Sequence, residues 1–297
     1  MSNTIKGYLF LIAGILGFSM KSIFIKLAYL YHVDTVPLFA LRMIFSAPFY
    51  VAVLLYIRSN DAHSSSMKAI NYFLLILCSL GYYIASITDM YSLKYISVGL
   101  ERIVLFTFPL FALLFSILIL KKKYSLKVMI PFAVCFIGIS ISFISGVEDA
   151  AKLNPLLIGL SLVTISAISY AIYFVLSEKA LSNISSTHFN ALFMLLVCAF
   201  AIIQYLAQYS FDTIFIQENP VYFIAILMAV LSTVLPSFFI MFSIQKLGAS
   251  TTALFNNLGP FLTIYLGYIV LSEQVSLGEM LGFIVVVLGV ASLRKYK

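Results

Sequence analysis

The chain has 297 residues, of which 63% are hydrophobic and 10% are charged, and its mean hydropathy is +1.09. A soluble domain of this length would be about half apolar and about a quarter charged, so this composition leaves too little polar surface for a water-soluble particle. The formal net charge of +7 comes mainly from basic residues in short connections between apolar stretches, a distribution that favours membrane-topology signals over nucleic-acid binding.

Apolar stretches of about 17–25 residues, the length that a bilayer core requires of a helix, recur along the whole sequence. Charged residues or turn residues bound each of them. We predict ten transmembrane helices, at residues 7–28, 36–57, 69–91, 97–120, 127–145, 156–178, 187–209, 221–244, 250–271 and 277–293. The first apolar stretch has no signal-peptide cleavage site, so we predict that it is a retained helix.

The basic residues orient these helices in the membrane. If the N-terminus is cytoplasmic, twelve of the 18 Lys and Arg residues lie on the cytoplasmic side. The other six lie outside (Lys26, Lys94 and Lys152) or within spans (Lys21, Arg42 and Arg102). This positive-inside bias predicts a multi-pass protein of the bacterial inner membrane with both termini in the cytoplasm.

The segment at 91–139 is repeated at 242–290, without a gap, after 151 positions. The shift pairs Ser92 with Ser243, Pro109 with Pro260, Ser125 with Ser276, Leu126 with Leu277, Met129 with Met280, Phe132 with Phe283 and Gly138 with Gly289. We predict two copies of one unit, helices 1–5 in residues 1–146 and helices 6–10 in residues 147–297. Since five is odd, the second copy enters from the opposite face. The predicted fold is an all-α integral membrane protein with ten transmembrane helices as two inverted five-helix repeats, a transporter arrangement.

Several segments, taken in order, resemble the EamA-type members of the drug/metabolite transporter superfamily. TVPLFALRMIFSAPFYVAVLL at 35–55 is similar to the family's second helix, with its arginine at Arg42. YSLKYIS and FSIQKLGAS resemble the paired linkers before the fourth and ninth helices, and VLSEQVSLGEMLGFIVVVLGV resembles the closing segment, with Glu273 in the family's glutamate position. The resemblance covers nearly the whole chain and implies secondary transport of a small metabolite, often export of an amino acid.

The sequence offers no chemistry for an enzyme or a cofactor. Cys78, Cys135 and Cys198 lie singly in apolar segments, and the three histidines have no ligand spacing. We therefore predict free, packed thiols, no metal, no cofactor and no catalytic activity. The expected partners are a small-molecule metabolite and the lipid bilayer, and the chain is expected to act as a monomer or homodimer.

Ionisable residues within spans are costly and often functional, and five are predicted here: Lys21, Arg42, Asp89, Glu101 and Arg102. All lie in the external half of the first repeat, and the second repeat has neutral residues at the matching positions. They form either internal ion pairs, such as Asp89 with Arg42 and Glu101 with Lys21, or a substrate vestibule of net charge +1. That charge would suit a carboxylate or a zwitterion. Asp89, Glu101 and Arg102 are expected to be shallow enough to reach the membrane interface.

Helix-breaking residues recur near the middle of the fourth and ninth helices. Proline removes a backbone donor, so carbonyl groups are freed at matching depths in the two repeats, which predicts a central binding site. The set comprises the helix-break residues Pro109, Gly259 and Pro260 and the candidate ligands Thr107, Asn256 and Asn257. The alternative is an ordinary kink in which the asparagines form hydrogen bonds between helices.

The sequence thus predicts a secondary transporter that moves a small polar metabolite by alternating access, with export of an amino acid or a related carboxylate or zwitterion as the favoured use. Uniport and proton-coupled exchange both stay open, and Asp89 and Glu101 are the carboxylates within spans that could carry a coupling proton. One alternative is uptake of a nutrient such as a nucleoside-like cofactor or a quaternary amine. Another is a lipid-linked sugar flippase or a scaffold for a membrane complex.

Overall fold

The computed structural model describes residues 3–59, 71–121, 129–146, 153–180, 185–240 and 259–292, and every regular element in these ranges is a helix. The helices are α1 (Asn3–Tyr29), α2 (Thr35–Ser59), α3 (Tyr72–Ser92), α4 (Val98–Leu105), α5 (Phe108–Leu120), α6 (Met129–Gly146), α7 (Leu153–Ala180), α8 (Ser186–Gln208), α9 (Asn219–Ala229), α10 (Gly259–Leu271) and α11 (Leu277–Ser292). The span that begins with α9 continues through a π-helical turn, Val230–Val234, to Ile240.

These helices form ten membrane spans. Within the described ranges, seven spans are long and apolar enough to cross a bilayer: α1, α2, α3, α4 with α5, α7, α8, and α9 with its π-helical turn. The shorter apolar helices α6, α10 and α11 make the other three. The predicted all-helical fold of ten spans in two repeats is confirmed.

The fourth span is divided between α4 and α5. Phe106 and Thr107 lie between the two helices, and the Thr107 hydroxyl donates a 2.6 Å hydrogen bond to the Val104 carbonyl oxygen. Pro109 is the second residue of α5, a place where a helix needs no N–H donor. Pro260, the counterpart of Pro109 in the second repeat, is a buried residue of α10.

Residues of both repeats hold the N-terminus of α4. The Ser97 hydroxyl caps the helix by accepting a 3.1 Å hydrogen bond from the backbone N–H of Leu100. Glu273, in the connection before α11, accepts a 2.9 Å hydrogen bond from the backbone N–H of Val98 and lies 3.7 Å from the Lys26 ammonium. Glu273 therefore ties the second repeat to α4.

Helix contacts between the repeats come in symmetry-related pairs. In chain order, α7, α8, α9, α10 and α11 are the counterparts of α1, α2, α3, α4–α5 and α6. Helix α1 packs on α10 and on the α9 span, as α7 packs on α4–α5 and on α3. Helix α2 packs on α9, as its counterpart α8 packs on α3. Two helices also pack directly on their own counterparts: α2 packs on α8, and α6 packs on α11. The repeats therefore interlock about a pseudo-two-fold axis.

Helices α6 and α11 approach each other closely at this axis. A Cβ atom on Gly138 would lie 2.6 Å from the Gly282 carbonyl oxygen, and a Cβ atom on Gly289 would lie 2.6 Å from Cys135 Sγ. Gly138 and Gly289 are equivalent residues of the two repeats, so the same contact is made from both sides. Cys135 Sγ also lies 3.5 Å from the carbonyl oxygen of Val286, its own counterpart after 151 positions.

We expect Gly138→Ala to destabilise the protein by about 1–3 kcal/mol, because the added methyl group overlaps the α11 backbone in a close-packed interface. Gly99→Ala is the matched control, since the atoms nearest to its added Cβ lie 3.9 Å away. Thermal unfolding of both purified variants in the same detergent measures the difference. Equal melting temperatures for the two variants would contradict the close α6–α11 contact.

Asp34 connects three inter-helix segments at one end of the bundle. Its Oδ1 lies 3.1 Å from Lys94 Nζ, and its Oδ2 accepts a 3.1 Å hydrogen bond from the Tyr209 hydroxyl. The hydrogen-bonded Lys94 ammonium lowers the pKa of the Asp34 carboxyl below its usual value. The segments after α1, α3 and α8 therefore lie on the same face of the membrane.

Asp34→Asn should lower the melting temperature slightly at neutral pH, since an exposed ion pair contributes less than about 1 kcal/mol. The folded-state pKa of Asp34 is lowered, so its stabilising contribution is present above the unfolded-state pKa of about 4 and is lost as pH falls through the lowered value. Thermal unfolding at neutral and strongly acid pH measures this change, with Asp212→Asn as the exposed control. A destabilisation that persists unchanged in strong acid would rule out the ion pair as its cause.

Candidate functional site

Arg42 is a buried cation at the contact between α2 and the α9 span. Its side chain is 1% exposed, its Nε donates a 2.8 Å hydrogen bond to Thr233 Oγ1, and its Cζ lies 6.0 Å from the centre of the Phe39 ring. Its Nη1 has no hydrogen-bond partner among the described residues, and none of their carboxylates forms an ion pair with it. The guanidinium thus carries a positive charge that this part of the chain does not neutralise.

Thr233 lies in a distorted part of its helix. The segment Val230–Val234 is π-helical, and Thr233 Oγ1 donates a 2.9 Å hydrogen bond to the carbonyl oxygen of Met228, five residues earlier. π-Helical turns are rare and occur frequently at functional sites. Gly17 of α1 packs directly on this turn, because a Cβ atom there would overlap the Leu231 carbonyl oxygen. The turn brings a hydroxyl from the second repeat to the guanidinium of the first.

The equivalent contact on the other side of the axis is aromatic. Shifting Arg42 and Thr233 by 151 positions gives Phe193 and Tyr82, and these two rings meet edge-on with their centroids 5.2 Å apart. Phe193 also stacks on Tyr173 with a centroid distance of 4.9 Å. The fold therefore makes the same helix contact twice, once with a charge and once without. The charge at Arg42 is a specialisation of one side rather than a requirement of the architecture.

A second polar group, the ion-pair cluster, joins α1, α3 and α4 and consists of Lys21, Ser22, Asp89, Glu101 and Arg102. Lys21 Nζ lies 2.6 Å from Asp89 Oδ2, and Arg102 Nε lies 3.2 Å from Glu101 Oε2. The Ser22 hydroxyl donates a 3.1 Å hydrogen bond to Glu101 Oε2 and accepts one of 2.5 Å from an Arg102 nitrogen. The Asp89 and Glu101 side chains are 1% and 0% exposed. Two anions and two cations thus offset each other in this cluster.

The expected pairings of these charges are wrong. Asp89 pairs with Lys21 rather than with Arg42, and Glu101 pairs with Arg102 rather than with Lys21. The reason is the rotation of the helices: α2 directs Arg42 towards the second repeat, whereas α1 directs Lys21 towards α3. Packed helices bury Asp89 and Glu101, whereas the Arg102 side chain is 13% exposed, and ion pairs offset part of the cost of burial. The expected shallow depth of these three residues in the membrane stays a prediction.

The residues predicted near the middle of the spans are only partly described. Thr107 is buried, and its hydroxyl is bonded within its own span rather than to another helix. The Gly259 carbonyl oxygen accepts a 3.1 Å hydrogen bond from the Ser19 hydroxyl of α1, so this residue of α10 is held against the first repeat. Two predicted ligands, Asn256 and Asn257, lie outside the described residues.

Ser22 and Thr233 belong to these sites but are not identified by the sequence. Hydroxyl residues are common in membrane helices, where they bond to their own backbone, so neither residue stands out by type. The repeat does offer a signal for Thr233, because the 151-residue shift makes it the counterpart of Tyr82. Tyr82 lies on α3, which packs on α8, and α8 is the counterpart of α2. Ser22 has only its position beside Lys21 as a signal.

Inverted helical repeats that enclose ionisable side chains form the architecture of a secondary transporter. The EamA-like transporter family model matches residues 5–144 and 157–294, one match for each half, and the chain belongs to this family of the drug/metabolite transporter superfamily. It is 26% identical over 287 residues to the uncharacterized transporter YcbK of Bacillus subtilis (strain 168), covering 93% of this chain and 88% of that protein. One crystal structure shares the fold, with a TM-score of 0.64 at 16% identity over 99% of this chain and 97% of the other. The protein is a membrane transporter.

Proposed function

We propose that the protein exports a small carboxylate-bearing metabolite, an amino acid or a related carboxylate or zwitterion, by alternating access, with Arg42 as the ligand of the carboxylate. The observation that carries this proposal is the burial of Arg42 without a carboxylate partner in the described residues. Taking an ion out of water costs several kcal/mol unless a counter-charge and hydrogen bonds compensate it. A carboxylate in the substrate would supply both.

The chemistry of the guanidinium favours a planar anion. Arginine stays charged in proteins, and its fork of N–H donors matches a carboxylate through two parallel hydrogen bonds. The Arg42 Nε is occupied by Thr233, whereas its Nη1 is open to a ligand as far as the described residues go. The Thr233 hydroxyl holds one edge of the guanidinium, which orients the remaining donors.

The balance of charge supports an anionic or zwitterionic substrate over a bare cation. The five ionisable residues sum to +1, and the two ion pairs of the cluster cancel, so the remaining positive charge is that of Arg42. A quaternary amine would add a second cation to this environment. A carboxylate would neutralise it, and the ammonium of a zwitterion can be placed away from the guanidinium.

The position of Arg42 between repeats suits a site with alternating access. Helix α2 packs on α8 and on the α9 span, so the guanidinium lies between a helix of the first half of the chain and a helix of the second half. Rocking of one repeat against the other about such an interface exposes a central site first to one side and then to the other. Separation of α2 from the π-helical turn would break the Arg42–Thr233 hydrogen bond and open the site.

The proposed orientation places both termini in the cytoplasm of a bacterial inner membrane, because twelve of the 18 basic residues then lie inside. Reporter fusions after Lys297 and in the connection at 146–155 should report opposite sides of the membrane. A reporter fusion at Asp34 should report the same side of the membrane as the fusion at 146–155. The same side for the first two fusions would contradict the inverted repeat.

A thermal-shift screen of purified protein tests the proposed substrate class. A ligand that binds the folded state raises the melting temperature, by an amount that grows with its concentration over Kd. Amino acids and related carboxylates should stabilise the protein, and their amides, which keep the rest of the molecule but lack the negative charge, should not. Equal stabilisation by an acid and its amide would contradict recognition of the carboxylate.

A further inference from the structure

A second buried polar contact, the amide site, joins α2, α8 and the α9 span and consists of Tyr50, Asn190 and Ser237. Asn190 Nδ2 donates a 3.2 Å hydrogen bond to Ser237 Oγ, and the Tyr50 hydroxyl lies 3.4 Å from the same oxygen. Tyr50 is 0% exposed and Asn190 is 6% exposed. Helices of both halves of the chain therefore meet at this site, as they do at the contact of Arg42 with Thr233.

The amide site lies one helical turn from the Arg42 contact. Ser237 follows Thr233 by four residues on the α9 span, so Arg42 and Tyr50 of α2 contact that span at consecutive turns. One turn of a helix is about 5.4 Å long. An α-amino acid carries its ammonium and carboxylate groups on adjacent carbon atoms, and with a hydrogen bond of about 3 Å at each end it spans a separation of this size.

The hydrogen bonds of the amide site leave acceptors open to a ligand. The Ser237 hydroxyl donates a 2.8 Å hydrogen bond to the Val234 carbonyl oxygen, so its own oxygen accepts from Asn190 and from Tyr50. The Tyr50 hydroxyl thus donates to Ser237 and keeps its oxygen as an acceptor. Asn190 makes one side-chain hydrogen bond in the described part of the chain, through Nδ2, which leaves Oδ1 and one N–H group. A ligand with N–H donors fits the two open acceptors.

The Arg42 guanidinium offers donors only, and the amide site offers acceptors one turn away. A zwitterion has the complementary pair of groups, since a carboxylate only accepts hydrogen bonds and an ammonium group only donates them. We propose that Asn190 and Tyr50 bind the ammonium group of a substrate whose carboxylate binds Arg42. This inference rests on the proposed function, and it makes an α-amino acid, rather than a simple carboxylate, the substrate class.

The internal repeat shows that the scaffold does not require polar side chains at these positions. The 151-residue shift pairs Asn190 with Phe39 and Tyr50 with Ala201. A buried polar group costs free energy unless it is hydrogen-bonded, and Asn190 Oδ1 has no partner in the described residues. A bound ammonium group would supply that hydrogen bond, just as a bound carboxylate would supply the partner of Arg42.

Thermal-shift titrations with amino acids and their deaminated counterparts test the proposal. The probes are L-alanine with propanoate, L-leucine with isocaproate and L-phenylalanine with hydrocinnamate, and the two members of each pair differ by the ammonium group alone. The wild-type protein should bind at least one of the amino acids more tightly than its deaminated counterpart by a factor of about 10 to 150, the effect of a hydrogen bond to a charged group. Asn190→Leu should bind both members of that pair equally, with unchanged affinity for the deaminated one.

Tyr50→Phe removes the second acceptor, keeps the ring that lies 6.1 Å from Phe238, and should lower the same affinity ratio. Asn219→Leu and Tyr56→Phe are the matched controls, because they make the same chemical changes at exposed residues, and they should keep the wild-type ratio. If one site variant does not fold, the other and the wild-type ratio still decide.

Equal affinity of the wild-type protein for an amino acid and its deaminated counterpart would overturn the ammonium site and leave recognition of the carboxylate by Arg42 standing. A wild-type ratio that persists in both Asn190→Leu and Tyr50→Phe would also overturn it, by placing the ammonium group elsewhere. No stabilisation of the wild-type protein by any of the six compounds would instead count against the proposed function, and this inference would fall with it.

Discussion

We expect Arg42→Gln to weaken substrate binding by a factor of about 10 to 150, while the protein stays folded. A hydrogen bond to a charged group contributes about 1.5–3 kcal/mol, and each 1.4 kcal/mol is a factor of about ten in affinity. Folding should be spared, because the substitution removes a costly buried cation and strands no described carboxylate. Ligand titrations by thermal shift, using a compound that stabilises the wild-type protein, measure the change in affinity.

Arg58→Gln is the matched control for this substitution. Arg58 lies in the last turn of the same helix, and its side chain is exposed, so the chemical change is identical but lies outside the site. It should leave both affinity and melting temperature unchanged. An unfolded Arg42→Gln protein, or one that binds as tightly as Arg58→Gln does, would contradict the role of Arg42.

Lys21→Met should destabilise the protein by about 3 kcal/mol, because Asp89 then stays buried after the loss of its ammonium partner. The double variant Lys21→Met with Asp89→Leu removes both charges and should recover most of the lost stability, since apolar side chains of similar size can replace a buried ion pair. Chemical unfolding of the wild type, both single variants and the double variant gives the coupling energy of the pair.

The same four proteins separate an ion pair from simple packing. If Lys21 stabilises the protein only by packing of its aliphatic chain, Lys21→Met keeps that packing and should leave the free energy of unfolding unchanged. If the pair is electrostatic, each single variant is less stable than the double variant. Additive effects of the two substitutions would contradict the pairing seen at 2.6 Å.

The sequence predicts the architecture because two strong signals specify it. Hydrophobic length defines the spans, since a bilayer requires about 20 apolar residues of a helix, and the repeat after 151 positions defines their arrangement. The inversion then follows from the odd number of spans in each half. The symmetric contact of Gly138 with α11 and of Gly289 with α6 is the structural counterpart of that repeat.

The partners of the charged residues cannot be read from the sequence in the same way. A residue number gives the depth of a side chain in its helix, but which neighbour it meets depends on the rotation and packing of that helix. From their positions in the sequence, Asp89 and Arg42 could form an ion pair with each other. In the structure they face different helices, and Asp89 pairs with Lys21. The π-helical turn at Thr233 packs against α1 and α2, and no sequence pattern predicted it.

The asymmetry between the repeats has a physical consequence for function. The interface is polar at Arg42 and Thr233 and aromatic at Phe193 and Tyr82, so in the proposed transport cycle the side at Arg42 would offer a charge to a ligand. The ion-pair cluster likewise belongs to helices of the first repeat. The second repeat thus contributes the symmetric scaffold and the Thr233 hydroxyl.

Counterflow in proteoliposomes tests the central claim, transport of a carboxylate-bearing metabolite through Arg42. Liposomes that contain the purified protein are loaded with an unlabelled compound identified by thermal shift and diluted into a trace of the labelled compound. The wild-type protein should accumulate label transiently and saturably, Arg58→Gln should match it, and Arg42→Gln should give the signal of empty liposomes. Equal counterflow of the amide analogue, or no counterflow of a compound that binds, would contradict the account.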